Sequence, residues 1–339
     1  MTPARTRIAA LTGVAALLAG SASALSGIAL SDPASAQPDP GTLSLQEDAA
    51  PDIPVEAVVA HLDELQSIAD ANGGNRSTGQ RGYEASVDYV QAQLDAAGFV
   101  TEVQSFSTRA GTSYNLIADW PGGDTTSTVM MGGHLDSVDE GPGINDNGTG
   151  SAAILTTALA FAEANPAPAN HVRFGFWGAE ELGLLGSTHY VDSLSATQVD
   201  DLAAYFNFDM LGSPNPGYFV YDDDANGTAL RDSLTALYDE AGIESDHIDV
   251  DGRSDHAAFM QRDIPTAGTF SGAEGQMTSA QAAKWGGQAG SAFDPCYHAA
   301  CDDIDNVDTA ALDLNTDLIA DTLWAWADHD FDGGPTSVH

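Results

Sequence analysis

The chain has 339 residues, with 50 acidic against 10 basic side chains and a formal net charge of -40. A surface of that sign repels phosphates, which excludes nucleic acid and anionic membranes as partners. Hydrophobic residues make up 43% and recur periodically, so the acidity is read as a solvated shell suited to high salt around a packed core, rather than as disorder.

The first segment reads as an export signal. Arg5 and Arg7 precede the apolar run Ile8 to Leu18, and Ala34-Ser35-Ala36 offers a small-residue cleavage site. Gly13 and Gly20 interrupt the run, which falls short of the roughly 18 consecutive apolar residues of a membrane span. Residues 1–36 are therefore expected to be a signal peptide and 37–49 a pro-segment or linker, leading to a secreted, extracellular protein.

Helical periodicity then covers Val55 to Ala71 and Tyr83 to Ala97, the second stopped by Gly98. Extended segments follow at Val100 to Phe106, Tyr114 to Trp120 and Thr128 to Gly133, then a helix from Gly148 to Ala164. His171 to Trp177 reads as a strand, Leu182 to Leu194 as a helix, Ala203 to Asp209 and Tyr218 to Tyr221 as strands. Gly227 to Ala241 reads as a helix, Ile264 to Phe270 as a strand and Thr309 to Asp328 as the closing helix. This alternation predicts an α/β fold, a single domain over 50–328 with a central mixed, largely parallel β-sheet flanked by helices on both faces. Residues 329–339 read as a flexible acidic tail.

Ligand-type residues cluster at the ends of these apolar segments: His134 and Asp136 in GGHLDS, Asp146 in GINDNGTG, Glu180 and Glu181 in WGAEELGLLGS, Asp209 in FNFDMLGS and His298 in CYHAAC. An α/β sheet sets its reactive residues at such ends. Two imidazoles and three carboxylates suffice for a pair of zinc ions. Asp146, in a glycine-rich loop, suits the bridge between two mutually repelling cations. His134 and Asp209 then complete one ion, Glu181 and His298 the other. Asp136 is the carboxylate expected to receive the second N–H of His134. Glu180 is left as the general base for the attacking water, and Tyr297 as a donor to the developing oxyanion. Cys296 and Cys301 are the only cysteines; an oxidising compartment favours joining them, which would stiffen the segment that carries Tyr297 and His298.

These motifs, with GRSDHAAF and KWGGQAGSAFDPCYHAACD, resemble those of the M28 family of zinc aminopeptidases from about Ala50 to Trp326. The resemblance implies the zinc exopeptidase fold, the same five ligands with Glu180 as base, and a cis peptide at Asp146-Asn147. It implies a substrate-positioning role for Arg253 and a pocket for large apolar N-terminal side chains walled by Met210, Gly252 and Phe270. It also implies a calcium ion held by Asp52, the Ile53 carbonyl, Asp313 and Asp317. The mature start would fall at APDIPV, and no accessory domain is expected downstream. Glu274 departs from the family pattern and would alter the charge of the pocket. The expected protein is a monomeric dinuclear zinc aminopeptidase acting on peptides with a free N-terminus and preferring Leu-like residues. The alternatives are a glutaminyl cyclase with one zinc, a carboxypeptidase of related fold, or a non-catalytic metal-binding ectodomain. A serine hydrolase is disfavoured because no Gly-x-Ser-x-Gly elbow occurs, and the His-Glu-x-x-His motif is absent.

Overall fold

A computed structural model describes residues 50–331; the expected signal peptide and pro-segment at 1–49 and residues 332–339 of the tail lie outside the described residues. Nine α-helices and eight strands are described: α1 (Val55–Ala71), α2 (Arg81–Ala97), β1 (Val100–Thr108), β2 (Gly111–Asp119), β3 (Asp124–His134), α3 (Gly150–Ala164), β4 (Asn170–Trp177), α4 (Leu185–Ser193), α5 (Ala196–Asp200), β5 (Leu202–Asp209), β6 (Phe219–Tyr221), α6 (Thr228–Glu240), β7 (Asp246–Ile248), α7 (His256–Met260), β8 (Thr266–Phe270), α8 (Ser279–Trp285) and α9 (Thr309–Ala327). No helix among them is long and apolar enough to cross a membrane.

The strands form one sheet in the order β1-β2-β4-β3-β5-β8-β6-β7. Its centre, β4-β3-β5-β8, is parallel, while β1 and β2 on one side and β6 against β8 on the other pair antiparallel. The period-2 alternation of side chains splits each central strand between two cores. Val129 and Met131 of β3 and Phe206 and Phe208 of β5 face the larger core, which α1, α2, α3, α6 and α9 cover. Met130 and Tyr205, one residue out of phase, face the smaller core with Tyr190 of α4 and Phe259 of α7. Helices thus lie on both faces, as expected.

Differences from the sequence reading have local causes. The helix expected from Leu182 begins only at Leu185, because Gly183 (φ 104°) and Leu184 (φ 59°) are left-handed. The helix expected from Tyr83 starts two residues earlier, at Arg81, and its C-cap Gly98 (φ 97°) stops it where predicted. The short elements α5, β7, α7 and α8 fall in stretches read as loop. They carry too few turns or pairs to show a period, although Ser195/Gln198 and Thr278/Gln281 are capping boxes that mark α5 and α8.

Candidate metal centre

β3 ends on His134 and β5 on Asp209, and β4 runs into the turn carrying Glu180 and Glu181. The three strands are parallel neighbours, so their carboxyl ends open on one edge of the sheet. Three residues at this edge hold left-handed backbone without being glycine: Ala179 (φ 58°), Met210 (φ 51°) and His298 (φ 55°). Each conformation costs about 1–2 kcal/mol. Here it re-aims the chain just before Glu180, just after Asp209 and at His298 itself, the kind of strain functional sites retain.

Asp146 lies between the two imidazoles. His134 Nε2 is 3.3 Å from Asp146 Oδ1, and His298 Nε2 is 3.2 Å from Asp146 Oδ2. Asp209 Oδ1 stands 3.5 Å from His134 Nε2, and Glu181 Oε2 stands 3.0 Å from His298 Nε2. Two groups result, His134–Asp146–Asp209 and Asp146–Glu181–His298, each with its ligand atoms within 4.8 Å of one another and both sharing Asp146. A third group, His134–Glu180–Glu181, brings the other glutamate to the same spot. Asp146 Oδ2, Glu181 Oε1 and Asp209 Oδ1 are buried with no hydrogen-bond partner. Lone buried carboxylate oxygens are expensive. Three of them converging on two imidazoles make a donor set that fits zinc.

The supports of this set differ in part from expectation. His134 Nδ1 lies 3.1 Å from the backbone carbonyl of Asp136 and 3.7 Å from its carboxylate. The carbonyl, rather than the carboxylate, is thus the nearer acceptor fixing the ring with Nε2 inward. The Asp136 carboxylate instead accepts the Glu180 N–H at 3.1 Å and the Thr78 hydroxyl at 3.3 Å, tying the turn that carries Glu180 to the end of β3. Asp302, not singled out in the sequence, accepts the backbone N–H of Asn145 at 2.8 Å and of Asp146 at 3.0 Å. Gly143, with φ 63°, is confined to glycine because a Cβ would sit 2.4 Å from Ser137 Cβ and 2.5 Å from the Asp146 carbonyl. Arg76, also unforeseen, is fully buried and donates to the carbonyls of Leu135, Pro142 and Gly143.

Burial pushes the Glu180 carboxyl well above the usual carboxylate range; His134 opposes this, while Asp255, Asp209 and Glu181 add to it. Burial and Asp146 together raise Glu181 to about 7. Burial opposes charge on His298, but Asp146 and Glu181 outweigh it and raise the imidazole to about 10. Burial likewise opposes charge on His134, yet Glu180 and Asp209 raise it well above the ordinary value. Tyr297 stacks on His298 at 3.8 Å between centroids, and burial beside Asp146 and Glu181 raises its phenol, so it stays a neutral donor.

A cavity of about 410 Å³ opens onto these groups, with His134, Asp146, Glu180 and Asp209 in its lining. Met210 and Phe270 are among the residues that wall it, with Phe219, Ile248 and Phe293 enlarging the apolar side. Gly252 does not line it; it occupies the left-handed turn (φ 64°) before Arg253. Arg253 lines the mouth and pairs with Glu274 at 3.3 Å. Both partners are more than half exposed, so that pair contributes little. Cys296 and Cys301 are joined, closing the turn that presents Tyr297 and His298. The peptide Asp146-Asn147 is cis. Away from the centre, the Ile53 N–H donates to Asp317 Oδ1 at 2.9 Å. Asp313 lies one turn before Asp317 on α9, and Asp313 and Asp52 are exposed. Among the described residues, no group of ligand atoms within 4.8 Å of one another includes these aspartates.

The sequence profile of peptidase family M28 matches residues 115–323. Leupeptin-inactivating enzyme 1 of Streptomyces exfoliatus is 54% identical over 275 residues, which cover 81% of this chain and 62% of that protein. Leucine aminopeptidase 2 of Arthroderma otae is 42% identical over 269 residues, covering 75% of this chain and 54% of its own length. The chain thus spans little more than half the length of these relatives. Among solved structures, BSAP, a zinc aminopeptidase from Bacillus subtilis, superposes with a TM-score of 0.69 at 17% identity, covering 80% of this chain and 95% of that one.

Proposed function

The chain belongs to peptidase family M28, and on that premise we propose that it is a secreted dinuclear zinc aminopeptidase removing large apolar N-terminal residues from peptides. The observation that carries this reading is Asp146, whose two oxygens lie 3.3 Å and 3.2 Å from imidazole nitrogens on opposite sides. His134 and Asp209 would hold one ion, Glu181 and His298 the other, with Asp146 between them. When bound, the ions would lower the pKa of water and polarise the scissile carbonyl.

The chain's own groups supply the remainder. Glu180, with a raised pKa, takes the proton of the attacking water and returns it to the leaving amine. Tyr297 donates to the carbonyl oxygen as negative charge develops there. The apolar wall of Met210, Phe270 and Phe293 receives the N-terminal side chain, and Arg253 orients the substrate. Secretion is supported by the Cys296–Cys301 disulfide. A calcium ion on Asp52, the Ile53 carbonyl, Asp313 and Asp317 belongs to the same proposal; the Ile53 N–H bond to Asp317 Oδ1 brings that segment beside α9. The same fold occurs in a glutaminyl cyclase structure from Bacteroides thetaiotaomicron (TM-score 0.65, 15% identity), so the metal-facing residues, not the sheet, favour the aminopeptidase.

The deciding experiment compares Leu-, Lys- and Glu-nitroanilides with N-acetyl-Leu-nitroanilide, with and without chelator. The Leu substrate should be cleaved fastest, the acetylated one should be inert and the chelator should abolish turnover. Equal cleavage of the blocked substrate would refute an aminopeptidase.

Metal loading should also release protons. The metal-free cage holds His298 at about 10 and Glu181 at about 7, with His134 also raised. Ligands bind only when deprotonated, so loading weakens as pH falls. If both imidazoles lose a proton on loading, the product of the two affinities falls about 100-fold per pH unit near and above neutrality, and more steeply below about 7, where Glu181 also takes a proton. Calorimetry of zinc binding in buffers of different ionisation enthalpy reads this directly; zero net proton release would contradict the cage described.

A further inference from the structure

Behind Asp209 runs a line of buried polar side chains. The Trp177 indole N–H donates to the Tyr205 hydroxyl at 2.8 Å, and that hydroxyl donates to Asn207 Oδ1 at 2.9 Å. The Asn207 amide donates to Ser254 Oγ at 2.8 Å, and Ser254 donates to Asp209 Oδ2 at 2.7 Å. Trp177, Tyr205 and Asn207 are fully buried and Ser254 is 4% exposed. The indole can only donate and the carboxylate can only accept. Those two ends fix the direction of every bond between them and the orientation of the Asn207 amide.

The line passes over β3 at Gly132. A Cβ there would meet the Tyr205 hydroxyl at 2.8 Å and Trp177 Nε1 at 2.9 Å, so glycine leaves the room this crossing needs. It connects two arms of the site, because Trp177 precedes the turn of Glu180 and Glu181 while Asp209 ends β5. At its end the two Asp209 oxygens are inequivalent. Oδ2 is tied to Ser254, whereas Oδ1 is buried without a hydrogen-bond partner, 3.5 Å from His134 Nε2.

We infer that Trp177, Tyr205, Asn207 and Ser254 form a positioning relay that reserves one oxygen of Asp209 for metal and sets the affinity of the ion on the His134 side. The inference rests on the dinuclear reading above. A carboxylate free to rotate would offer its metal either oxygen or both, and ordering it on binding would cost affinity. Supporting hydrogen bonds of this kind are commonly worth 10–100-fold in metal affinity. Tyr205 is a clean probe, since its ring stacks on Phe259 at 3.7 Å and 5° and Tyr205→Phe removes only the hydroxyl.

The test is zinc titration of the metal-free full chain against a chromophoric chelator, for wild type, Ser254→Ala, Ser254→Thr and Tyr205→Phe, with thermal unfolding of each metal-free variant. Two ions should bind wild type. Ser254→Ala and Tyr205→Phe should weaken one ion by about 10–100-fold and leave the other unchanged, while Ser254→Thr, which keeps the hydroxyl, restores affinity. Folded variants with both affinities unaltered, or with both weakened equally, would overturn the relay while the dinuclear reading stands. A wild-type chain binding fewer than two ions would overturn both.

Discussion

Glu180→Gln is expected to lower kcat by about 10²–10⁴-fold with the metal content of the protein unchanged. Glutamine keeps the shape of the side chain but loses its negative charge and its ability to accept a proton. Glu180 adjoins the candidate ligand Glu181 and shares a cluster with His134, but the two sets that meet at Asp146 are complete without it. Its backbone N–H would still be held by Asp136. The raised pKa fixes the sign of the pH dependence: the basic form is lost as pH falls through a value above the ordinary carboxylate range, so the acidic limb of kcat/KM should carry this group and vanish from the residual activity of the variant. Steady-state kinetics with metal analysis on the same sample checks it. Near wild-type kcat in a fully metallated Glu180→Gln would remove Glu180 from the chemistry.

Arg76→Met should be the most damaging substitution outside the ligand set. Burial lowers this guanidinium to about 10, with Asp136, Asp302 and Asp146 opposing the shift, so it remains charged at neutrality. It donates to Pro142 O at 2.9 Å and Gly143 O at 2.6 Å, and also to the Leu135 carbonyl. These carbonyls belong to the segment that leads from His134 to Asp146. Methionine fills much of the volume but takes the guanidinium away from the Leu135 and Pro142 carbonyls, leaves Gly143 O with the Gly148 N–H alone, and leaves nearby buried carboxylates uncompensated. Removing one partner of a buried charge network costs about 3–5 kcal/mol, or a fall of about 6–20 °C in Tm. Calorimetry of the metal-free protein should show that loss, and zinc affinity should fall with it because the bridge position loosens. A Tm within a degree or two of wild type would show that the clamp carries no stability.

His134, Asp209 and the Glu180–Glu181 pair are legible in the sequence because each ends or follows an apolar strand, and strand ends on one edge of a parallel sheet meet; Asp146, in a glycine-rich loop, and His298, in a disulfide-closed turn, are legible only from their motifs. The long elements α1, α3 and α9 are legible for the related reason that several turns give a period. Arg76, Ser254 and Asp302 are not. Each acts through backbone groups or through another side chain, and no spacing rule relates Arg76 to the carbonyls it clamps or Ser254 to Asp209, 45 positions away. A faint signal for Arg76 exists: it is one of only 10 basic residues in the chain, in a polar turn where solvent alone would not require it. Asp136 shows the limit differently. Its proximity to His134 is evident from spacing, but which of its oxygens serves the imidazole depends on the backbone bend after β3.

The most direct test is the zinc content of the purified wild-type chain, set beside that of Asp146→Ala. Five side chains sharing one bridging carboxylate predict two ions per chain in wild type, and loss of at least one when the bridge is removed. A wild-type chain saturating at a single ion, or Asp146→Ala still binding two with undiminished affinity, would contradict the dinuclear centre.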